Sequence, residues 1–426
     1  MKELSTVKKG IAAGKYDDRL TDIYVDETLL SCQRERYLKA IAEFERLYGS
    51  PKAEIYSAPG RSEVMGNHTD HQHGEILAAG VNLDAIAVVS PQDDMIRLTS
   101  GDSKEIRLRT GDLKIRKAEF GTTRALIKGV LKGFADRGYR IGGFMAYVTS
   151  DVLMGAGLSS SAAFETLIGA ILNGLYNKGK VSDIDIAIIG QYAENVYFGK
   201  PCGLMDQMAC SVASLVHVDL TDPADPGVEK VEIDLSAHGY SLCITDTKGS
   251  HADLTEEYAA IPKEMKEVAG FFGQDVLLGI TVDELLANAE EIRKNFGDRA
   301  FLRAIHFIQE NERVRRGVAA LKKEKIADFL NEVRASGNSS FKFLQNVYPS
   351  SDIRHQNVSV ALAVSETVLD PKKDAARVHG GGFAGTIQAF VQNGKVAEYQ
   401  KAMESVFGCG SCHVLKIRKY GGIKVM

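Results

Sequence analysis

The spacing of apolar and polar residues changes along the chain between a helical and a strand pattern. Apolar residues three or four positions apart predict amphipathic helices at 34–48, 124–137, 164–176, 184–198 and over most of 256–336. Short β-branched or alternating runs predict strands at 55–56, 85–89, 96–98, 106–108, 144–152, 214–220, 231–235, 241–246, 386–391 and 414–417. Strands and helices interleave without a repeat. We therefore expect an α+β fold of packed layers rather than a doubly wound parallel sheet.

Length and composition indicate an enzyme-sized globular protein. The 426 residues exceed the size at which a single hydrophobic core stops growing, so two domains are expected, with a boundary between 203 and 226. The formal net charge of −4 offers no electrostatic footprint for nucleic acid or an anionic membrane. No apolar run approaches the roughly 18 residues of a membrane span, and the polar N-terminus is unlike a signal peptide. Six cysteines in mostly apolar surroundings favour reduced thiols and a cytoplasmic location.

The segment 155–163, with the sequence GAGLSSSAA, lies between a predicted strand and a predicted helix. A glycine- and serine-rich loop that opens a helix presents unpaired backbone N–H groups at the positive end of the helix dipole. Small side chains let a phosphate approach the backbone, and the hydroxyl groups can donate to its oxygens or contact a metal. The alternative is an ordinary turn with a serine N-cap, which needs only one serine. We expect a polyphosphate site.

Three histidines and an aspartate occur within the segment 60–74, GRSEVMGNHTDHQHG. They could form a metal site, but His68, His71 and His73 cannot all converge from one face of a strand or of a helix. The glycines at 66 and 74 fit better with a loop whose polar side chains point into a cleft. A hydroxyl-rich ligand is the occupant we expect there.

Two further glycine-rich segments carry candidate chemistry. In 199–207, GKPCGLMDQ, the lone carboxylate Asp206 stands in an apolar turn, where it is either a functional acid or the N-cap of a short helix. In 379–386, HGGGFAGT, four glycines precede a predicted strand. Glycine at such a place permits positive φ and a close approach of the backbone to a ligand.

Together these segments resemble the GHMP small-molecule kinases and, within them, the galactokinases. The matching segments are 58–61 with 68–70, 155–163, 201–207 and 380–385, joined by the pair His251 and Tyr258. They occur in the family's order over most of the chain. The resemblance implies an α+β fold of two lobes, each a mixed sheet backed by helices, with the active site in the cleft between them. The lobes are expected at 1–215 and 216–426, and the resemblance allows the chain end to return to the first lobe.

The resemblance also implies an activity: transfer of phosphate from ATP, with Mg²⁺, to the anomeric hydroxyl of a sugar, most directly galactose. It makes Asp206 the proton acceptor, with Arg61 beside it, and assigns Mg²⁺ to Glu194 and Ser160. The residues implied for the nucleotide phosphates are Gly155, Gly157, Leu158, Ser159, Ser160 and Ser161. Those implied for the sugar are Asn67, His68, Asp70 and Tyr258.

Two departures from the family pattern concern the substrate. Galactokinases usually carry Glu where this chain has Asn67, and an arginine pair often follows where this chain has Ala259 and Ala260. A kinase of galacturonate or a pentose, or a non-catalytic sugar sensor, is therefore the alternative. If galactose is the substrate, Asn67→Glu should leave turnover similar or better; with galacturonate it should abolish turnover by like-charge repulsion. The expected partner is a small sugar, without nucleic acid or membrane, and the expected state is a monomer or weak homo-oligomer.

Overall fold

The computed structural model describes residues 1–153, 157–250 and 254–426 and contains two β-sheets surrounded by helices. The strands, in chain order, are β1 (Lys2–Glu3), β2 (Lys52–Met65), β3 (Glu75–Gln92), β4 (Met95–Ser100), β5 (Ile106–Arg109), β6 (Gly143–Ser150), β7 (Leu215–Asp219), β8 (Gly227–Val231), β9 (Tyr240–Asp246), β10 (Ala375–His379), β11 (Thr386–Gln392), β12 (Cys412–Leu415) and β13 (Ile423–Lys424).

The helices fall into three groups along the chain. The N-terminal group is α1 (Leu4–Ala12), α2 (Asp17–Tyr24) and α3 (Leu30–Tyr48). The second group is α4 (Thr123–Asp136), α5 (Ser160–Tyr176), α6 (Asp183–Tyr192) and α7 (Met205–Val212). The C-terminal group is α8 (Thr255–Phe271), α9 (Val282–Ala287), α10 (Ala289–Phe296), α11 (Asp298–Lys322), α12 (Ile326–Ser339), α13 (Asn357–Val368) and α14 (Val396–Phe407).

The first sheet has nine strands and is mixed. Its main path is β1-β2-β3-β6-β4-β5; β13 pairs with β2, and the β7–β8 hairpin pairs with β3. Only the β4–β6 pairing is parallel. Helices α4, α5 and α6 pack on one face around an apolar cluster that includes Ile127 and Leu167. Helices α1 to α3 cover the other face around Ile41 and Phe44.

The second sheet has four strands in the order β10-β11-β9-β12, and all its pairings are antiparallel. Helices α13 and α14 pack against it through Val358 and Tyr399. A further apolar cluster runs between the two sheets and contains Val64, Leu77, Phe329 and Phe390. The two sheets thus share apolar contacts.

Strand β2 extends through the segment 60–65, which the sequence pattern assigned to a loop; that prediction is wrong. Its antiparallel register with β3 shifts between Pro59 and Arg61 and again between Glu63 and Met65. Such bulges let a proline and a glycine stand in a strand and redirect neighbouring side chains. The loop proper is 66–74, which contains a short 3₁₀ turn at Asp70–Gln72.

The chain end lies against the first sheet. Ile423 is in register with Ser57 of β2, and the buried Arg418 donates to the Ser57 hydroxyl (2.8 Å) and to the carboxylate of Asp84 (3.0 Å). Asp84 also pairs with Arg36 of α3 (2.6 Å), so one buried carboxylate ties an N-terminal helix and the C-terminal segment to β3. The predicted boundary at 215/216 falls at the start of β7, and it stays a prediction.

Most helices expected from the apolar spacing are confirmed, including 34–48 within α3 and the helical region 256–336. The strand expected at 231–235 is wrong, because β8 spans Gly227–Val231 and ends where the expected strand begins. The connection after β7 is short, so hairpin pairing resumes as soon as the turn closes, with Gly227 opposite Asp219. Within the described part of the chain, no helix has the length and apolarity needed to cross a membrane.

Candidate active site

The described part of the 155–163 segment connects β6 to the N-terminus of α5, as predicted. Gly157 (φ 66°) and Ser159 (φ 53°) both adopt left-handed backbone conformations just before the helix begins at Ser160. Ser159 makes no side-chain capping bond, so the ordinary capped turn is not what forms here. The first N–H groups of α5 therefore lack a side-chain cap. Gly155, also predicted to bind phosphate, lies outside the described residues.

Arg61 and Asp206 form the central ion pair of the site. Arg61, at a bulge of β2 and 5% exposed, donates from Nε and Nη2 to Oδ1 of Asp206, both at 2.7 Å. Its Nη1 donates to the carbonyl of Gly157, and its backbone N–H donates to the carbonyl of Leu158 (3.1 Å). One guanidinium group thus joins the phosphate-loop segment to the carboxylate.

Asp206 lies in the first turn of α7, but it is not the N-cap: Leu204 holds that position, and no side chain caps the helix. The capping alternative is therefore wrong. The second carboxylate oxygen of Asp206 accepts a hydrogen bond from the hydroxyl of Ser159. Burial on its own would raise the pKa of Asp206, but the Arg61 guanidinium and the Ser159 hydroxyl outweigh it and hold the pKa below its usual value. Asp206 is consequently a charged acceptor at neutral pH.

A second carboxylate, Glu194, lies beside the same loop. The pattern predicted a regular helix to residue 198, but the turn Ala193–Phe198 is a π-helix, a feature often found at functional sites. Glu194 is 1% exposed and accepts from Gln207 Nε2 (2.7 Å), Ser161 Oγ (3.1 Å) and Lys200 Nζ (3.0 Å). The hydroxyl of Ser160, the predicted magnesium ligand, makes no hydrogen bond to the residues that the structure describes.

Sequence reasoning missed Glu165, which lies on the first turns of α5. Its carboxyl accepts from Gln207 Nε2 (3.1 Å), and its Oε1 is buried without a partner among the described residues. Burial, followed by the charge of Glu194, raises the pKa of Glu165 well above its usual value. The signal for it was a single acidic residue in the otherwise apolar stretch 162–172.

The loop 66–74 carries His68 and Asp70. His68 has a left-handed backbone (φ 60°), and its Nε2 is 3.0 Å from the carbonyl of Gly381. Because a carbonyl oxygen only accepts, Nε2 carries the hydrogen and Nδ1 remains an acceptor. Burial, followed by the nearby His71, lowers the pKa of His68 to about 3, so the ring is neutral. The loop thus presents a neutral imidazole and a carboxylate.

The carboxylate of Asp70 packs against Gly203, which belongs to the segment that leads to Asp206. A Cβ atom built on Gly203 would lie 1.7 Å from Oδ2 of Asp70, so only glycine leaves room for this carboxylate. Gly203 precedes Asp206 by three positions along the chain. The packing of Gly203 is therefore the physical link between the predicted sugar-binding loop and the predicted catalytic residue.

Gly203→Ala is expected to displace the carboxylate of Asp70 and to raise the KM for sugar at least ~10-fold, because the sugar hydroxyl predicted to bind Asp70 would lose its acceptor. The KM for ATP should change less than about threefold. Steady-state kinetics on both substrates checks this. Gly111→Ala is the matched control, since a Cβ there meets nothing within 4 Å. Equal KM values in Gly203→Ala and wild type would mean that Asp70 does not contact the sugar.

The glycine-rich segment 380–385 comes from the second lobe and meets the first. Its carbonyls at 380, 381 and 382 accept from Asn67 Nδ2 (2.7 Å), His68 Nε2 (3.0 Å) and Tyr258 Oη (2.8 Å), respectively. Three of the four residues predicted to contact the sugar are therefore anchored on consecutive carbonyls. His251, named with Tyr258 in the sequence pattern, lies outside the described residues.

Asn67, one of these three residues, is fully buried. Its Nδ2 donates to Glu63 Oε1 (2.9 Å) as well as to the carbonyl of Gly380, and its Oδ1 accepts from Asn346 Nδ2 (2.7 Å) and Ser340 Oγ (3.2 Å). All four hydrogen-bonding positions of the amide are thus taken by protein groups.

Two protein-family descriptions match parts of the chain. The GHMP kinases N terminal domain matches residues 125–214, which include the phosphate-loop segment and Asp206. The galactokinase galactose-binding signature matches residues 42–91, which include Arg61 and the loop 66–74.

Curated relatives match over most of their length. A galactokinase of Streptomyces coelicolor is 32% identical over 369 residues, which is 85% of this chain and 91% of that protein. A galactokinase of Glaesserella parasuis is 30% identical over 364 residues, covering 84% and 90%.

Solved structures share the fold. Lactococcus lactis galactokinase complexed with galactose superposes with a TM-score of 0.77 at 22% identity, covering 90% of this chain and 98% of that one. The mevalonate kinase of Methanococcus jannaschii superposes with a TM-score of 0.59 at 16% identity, covering 86% and 98%.

Proposed function

Because this chain belongs to the galactokinase family of GHMP kinases, we propose that it transfers the γ-phosphoryl group of ATP to the anomeric hydroxyl of galactose. The observation that carries the proposal is the cluster of Arg61, Ser159 and Asp206, which sets a charged acceptor directly against a helix N-terminus. Phosphoryl transfer depends mainly on positioning and on neutralising charge, and this cluster offers both.

The N-terminus of α5 is the part of the site we assign to the nucleotide phosphates. Backbone N–H groups of 157–161, which include Leu158, and the hydroxyl group of Ser160 are the donors; Ser159 and Ser161 contribute their backbone N–H groups, because their hydroxyl groups donate to Asp206 and Glu194. Gly157 is needed because a Cβ there would lie 2.8 Å from Thr386 Oγ1, on a backbone that already has positive φ. The loop therefore approaches the glycine-rich segment so closely that a side chain is excluded.

Glu194 and a serine hydroxyl are the groups we assign to Mg²⁺. They fit this ion, because a carboxylate and hydroxyl groups are hard oxygen donors and Mg²⁺ in kinases keeps few protein ligands. A positive charge already lies against Glu194: the ammonium group of Lys200, whose side chain is 59% exposed. The bound ion would supply charge neutralisation on the β- and γ-phosphates. Ser161, in contact with Glu194, joins the predicted Ser160 as a candidate ligand.

The sugar would lie between the loop 66–74 and the glycine-rich segment, within reach of His68, Asp70 and Tyr258. The oxygen of the anomeric hydroxyl bonds to the γ-phosphorus, and the bond from that phosphorus to the β–γ bridging oxygen breaks. Asp206 accepts the proton that the anomeric hydroxyl loses. Since the lowered pKa makes Asp206 a weak base, the proton moves late, when the attacking oxygen has become acidic. Arg61 remains beside both Asp206 and the transferred group, where it stabilises the spreading charge. The products are ADP and the sugar 1-phosphate.

Glu194→Gln is expected to raise the Mg²⁺ concentration for half-maximal rate by ~10–100-fold, because a neutral amide oxygen replaces a charged ligand. A magnesium titration at saturating ATP and sugar checks this. Glu256→Gln, an exposed residue in the first turn of α8, is the matched control. If the titration curve of Glu194→Gln overlays that of wild type, the assignment to Glu194 is wrong.

We place this activity in the cytoplasm, with a small sugar as the partner and a monomer or weak homo-oligomer as the working state. All six cysteines are free thiols, which suits a reducing compartment.

The proposed function is tested by following ADP release with a panel of aldoses and uronic acids. Galactose should support the highest kcat/KM. A higher kcat/KM with galacturonate or a pentose would show that galactose is not the substrate, while phosphoryl transfer to a sugar would remain the reaction. Binding of ATP and galactose without turnover of any sugar would identify a sensor and overturn the proposal.

A further inference from the structure

Glu63 of β2 and Asn67 of the following loop form a buried pair at the junction of the two lobes. Glu63 is 2% exposed, and its Oε1 accepts from both Asn67 Nδ2 (2.9 Å) and Arg377 Nη2 (3.1 Å). Arg377 lies on β10 of the second sheet and is itself 1% exposed. A carboxylate from one lobe is therefore shared between an amide of its own lobe and a guanidinium group of the other.

The backbone around Glu63 is held from the second lobe as well. His379 Nε2 lies 3.2 Å from the backbone nitrogen of Glu63, and Gln388 Nε2 donates to the backbone carbonyl of Glu63 (2.8 Å). Because Nε2 accepts from a backbone N–H, the hydrogen of His379 is on Nδ1, where it faces Thr386 Oγ1 at 2.9 Å. Strands β10 and β11 thus fix the position of Glu63 from which Asn67 takes its orientation.

The buried surroundings of Glu63 destabilise one negative charge, and they destabilise a second negative charge still more. Burial raises the pKa of Glu63 to about 7, opposed by the guanidinium groups of Arg377 and Arg61, and the nearby carboxylates of Asp70 and Glu310 raise it further. Asn67 faces Glu63 with its amide nitrogen and Asn346 and Ser340 with its oxygen, so its neutral, two-ended amide suits both sides.

We propose that Asn67 is a positioning residue and not a sugar ligand: with Glu63 it fixes the carbonyl of Gly380 and so the glycine-rich segment on which His68 and Tyr258 are anchored. A sugar hydroxyl could bind Asn67 only by displacing a buried partner, which would leave that partner unsatisfied. The proposal rests on the proposed function for its substrate, but the network itself is independent of it.

The proposal reverses the expectation for Asn67→Glu. That change would add a carboxylate and a methylene group to a fully buried position next to Glu63, so sugar turnover should fall rather than stay similar or improve.

The decisive experiment is a double-mutant cycle with isosteric changes: Asn67→Asp, Glu63→Gln and both together. Asn67→Asp places two carboxylates in contact and removes the donor to Gly380. It should lower the Tm by at least about 2 °C and raise the KM for galactose at least ~10-fold, with the KM for ATP changed less than about threefold. In the double variant an amide again faces a carboxylate, so at least half of the loss in Tm should be recovered, whereas the KM for galactose should stay raised because the donor to Gly380 is still missing.

Asn173→Asp serves as the matched control, because its amide bonds only to the backbone of Val181 among the described residues. Glu63→Gln should not rescue any effect of that change. If Asn67 is a sugar ligand, Asn67→Asp should keep or improve galactose binding, and Glu63→Gln should have no coupled effect; that result overturns the proposal.

The double-mutant cycle remains decisive if a variant does not fold or if the wild-type chain is inert with galactose. If Asn67→Asp does not yield folded protein, a folded double variant counts as recovery, and an unfolded one overturns the proposal. The Tm cycle requires no substrate, so a wild-type chain that is inert with galactose would reject the proposed function while the coupling between Glu63 and Asn67 would still be measured.

Discussion

Asp206→Asn is expected to lower kcat by at least ~10² while ATP still binds, because a positioned proton acceptor contributes at least that much. The amide is isosteric with the carboxylate, but its oxygen is neutral and its nitrogen cannot accept the proton. The ion pair with Arg61 at 2.7 Å is also lost, although the shape of the site is kept. Single-turnover kinetics and nucleotide binding measured on the same preparation separate the loss of chemistry from loss of binding.

The matched control is Asp328→Asn, since Asp328 also stands in the first turn of a helix but is exposed. It should behave as wild type. Should Asp206→Asn keep more than a tenth of the wild-type rate, Asp206 would be a structural partner of Arg61 and Ser159 rather than the acceptor.

Arg61→Lys is the second change expected to have a large effect, with a loss of ~10² in kcat. The charge survives, but the planar group that joins Asp206 to the carbonyl of Gly157 does not, and removing one preorganised donor costs about this much. Near-normal kcat would show that Arg61 serves packing alone. Arg140→Lys, at an exposed position of the loop before β6, is the control.

The pH dependence of kcat in Arg61→Met is an independent test of the role of Arg61. In the wild type the guanidinium group outweighs burial and lowers the pKa of Asp206, so the carboxylate stays charged as the pH falls. Without Arg61, burial prevails and the pKa of Asp206 rises. The acid limb of the kcat profile should therefore move to higher pH in Arg61→Met, and an unmoved limb would contradict the role of Arg61.

The local features of the site could be read from the sequence because they are set by near neighbours. Glycines and serines before an apolar helix pattern predicted the loop that precedes α5. The spacing of apolar residues predicted α3 and the helical region of α8 to α12. The segments around Arg61 and Asp206 were recognised from their residue types. Their contact could not be read from either segment, because they are 145 residues apart along the chain.

The features that sequence reasoning missed depend on contacts across elements. The bulges of β2 follow from its register with β3, so residues 60–65 looked like a loop. Glu194 lies in the π-helical turn at 193–198, and its carboxylate contacts Ser161 rather than the predicted Ser160. Asn67 was predicted as a sugar ligand from its place in a motif; only the partners of its amide reveal that Glu63 and Gly380 already hold it.

The most direct test of the central claim is to identify the product formed from ATP, Mg²⁺ and galactose by ³¹P and ¹H NMR. The account predicts stoichiometric ADP and a phosphate ester on the anomeric carbon of galactose, and no ester with Asp206→Asn over the same time. A phosphate on another carbon, or a wild-type chain inert with galactose and active on galacturonate, would contradict it.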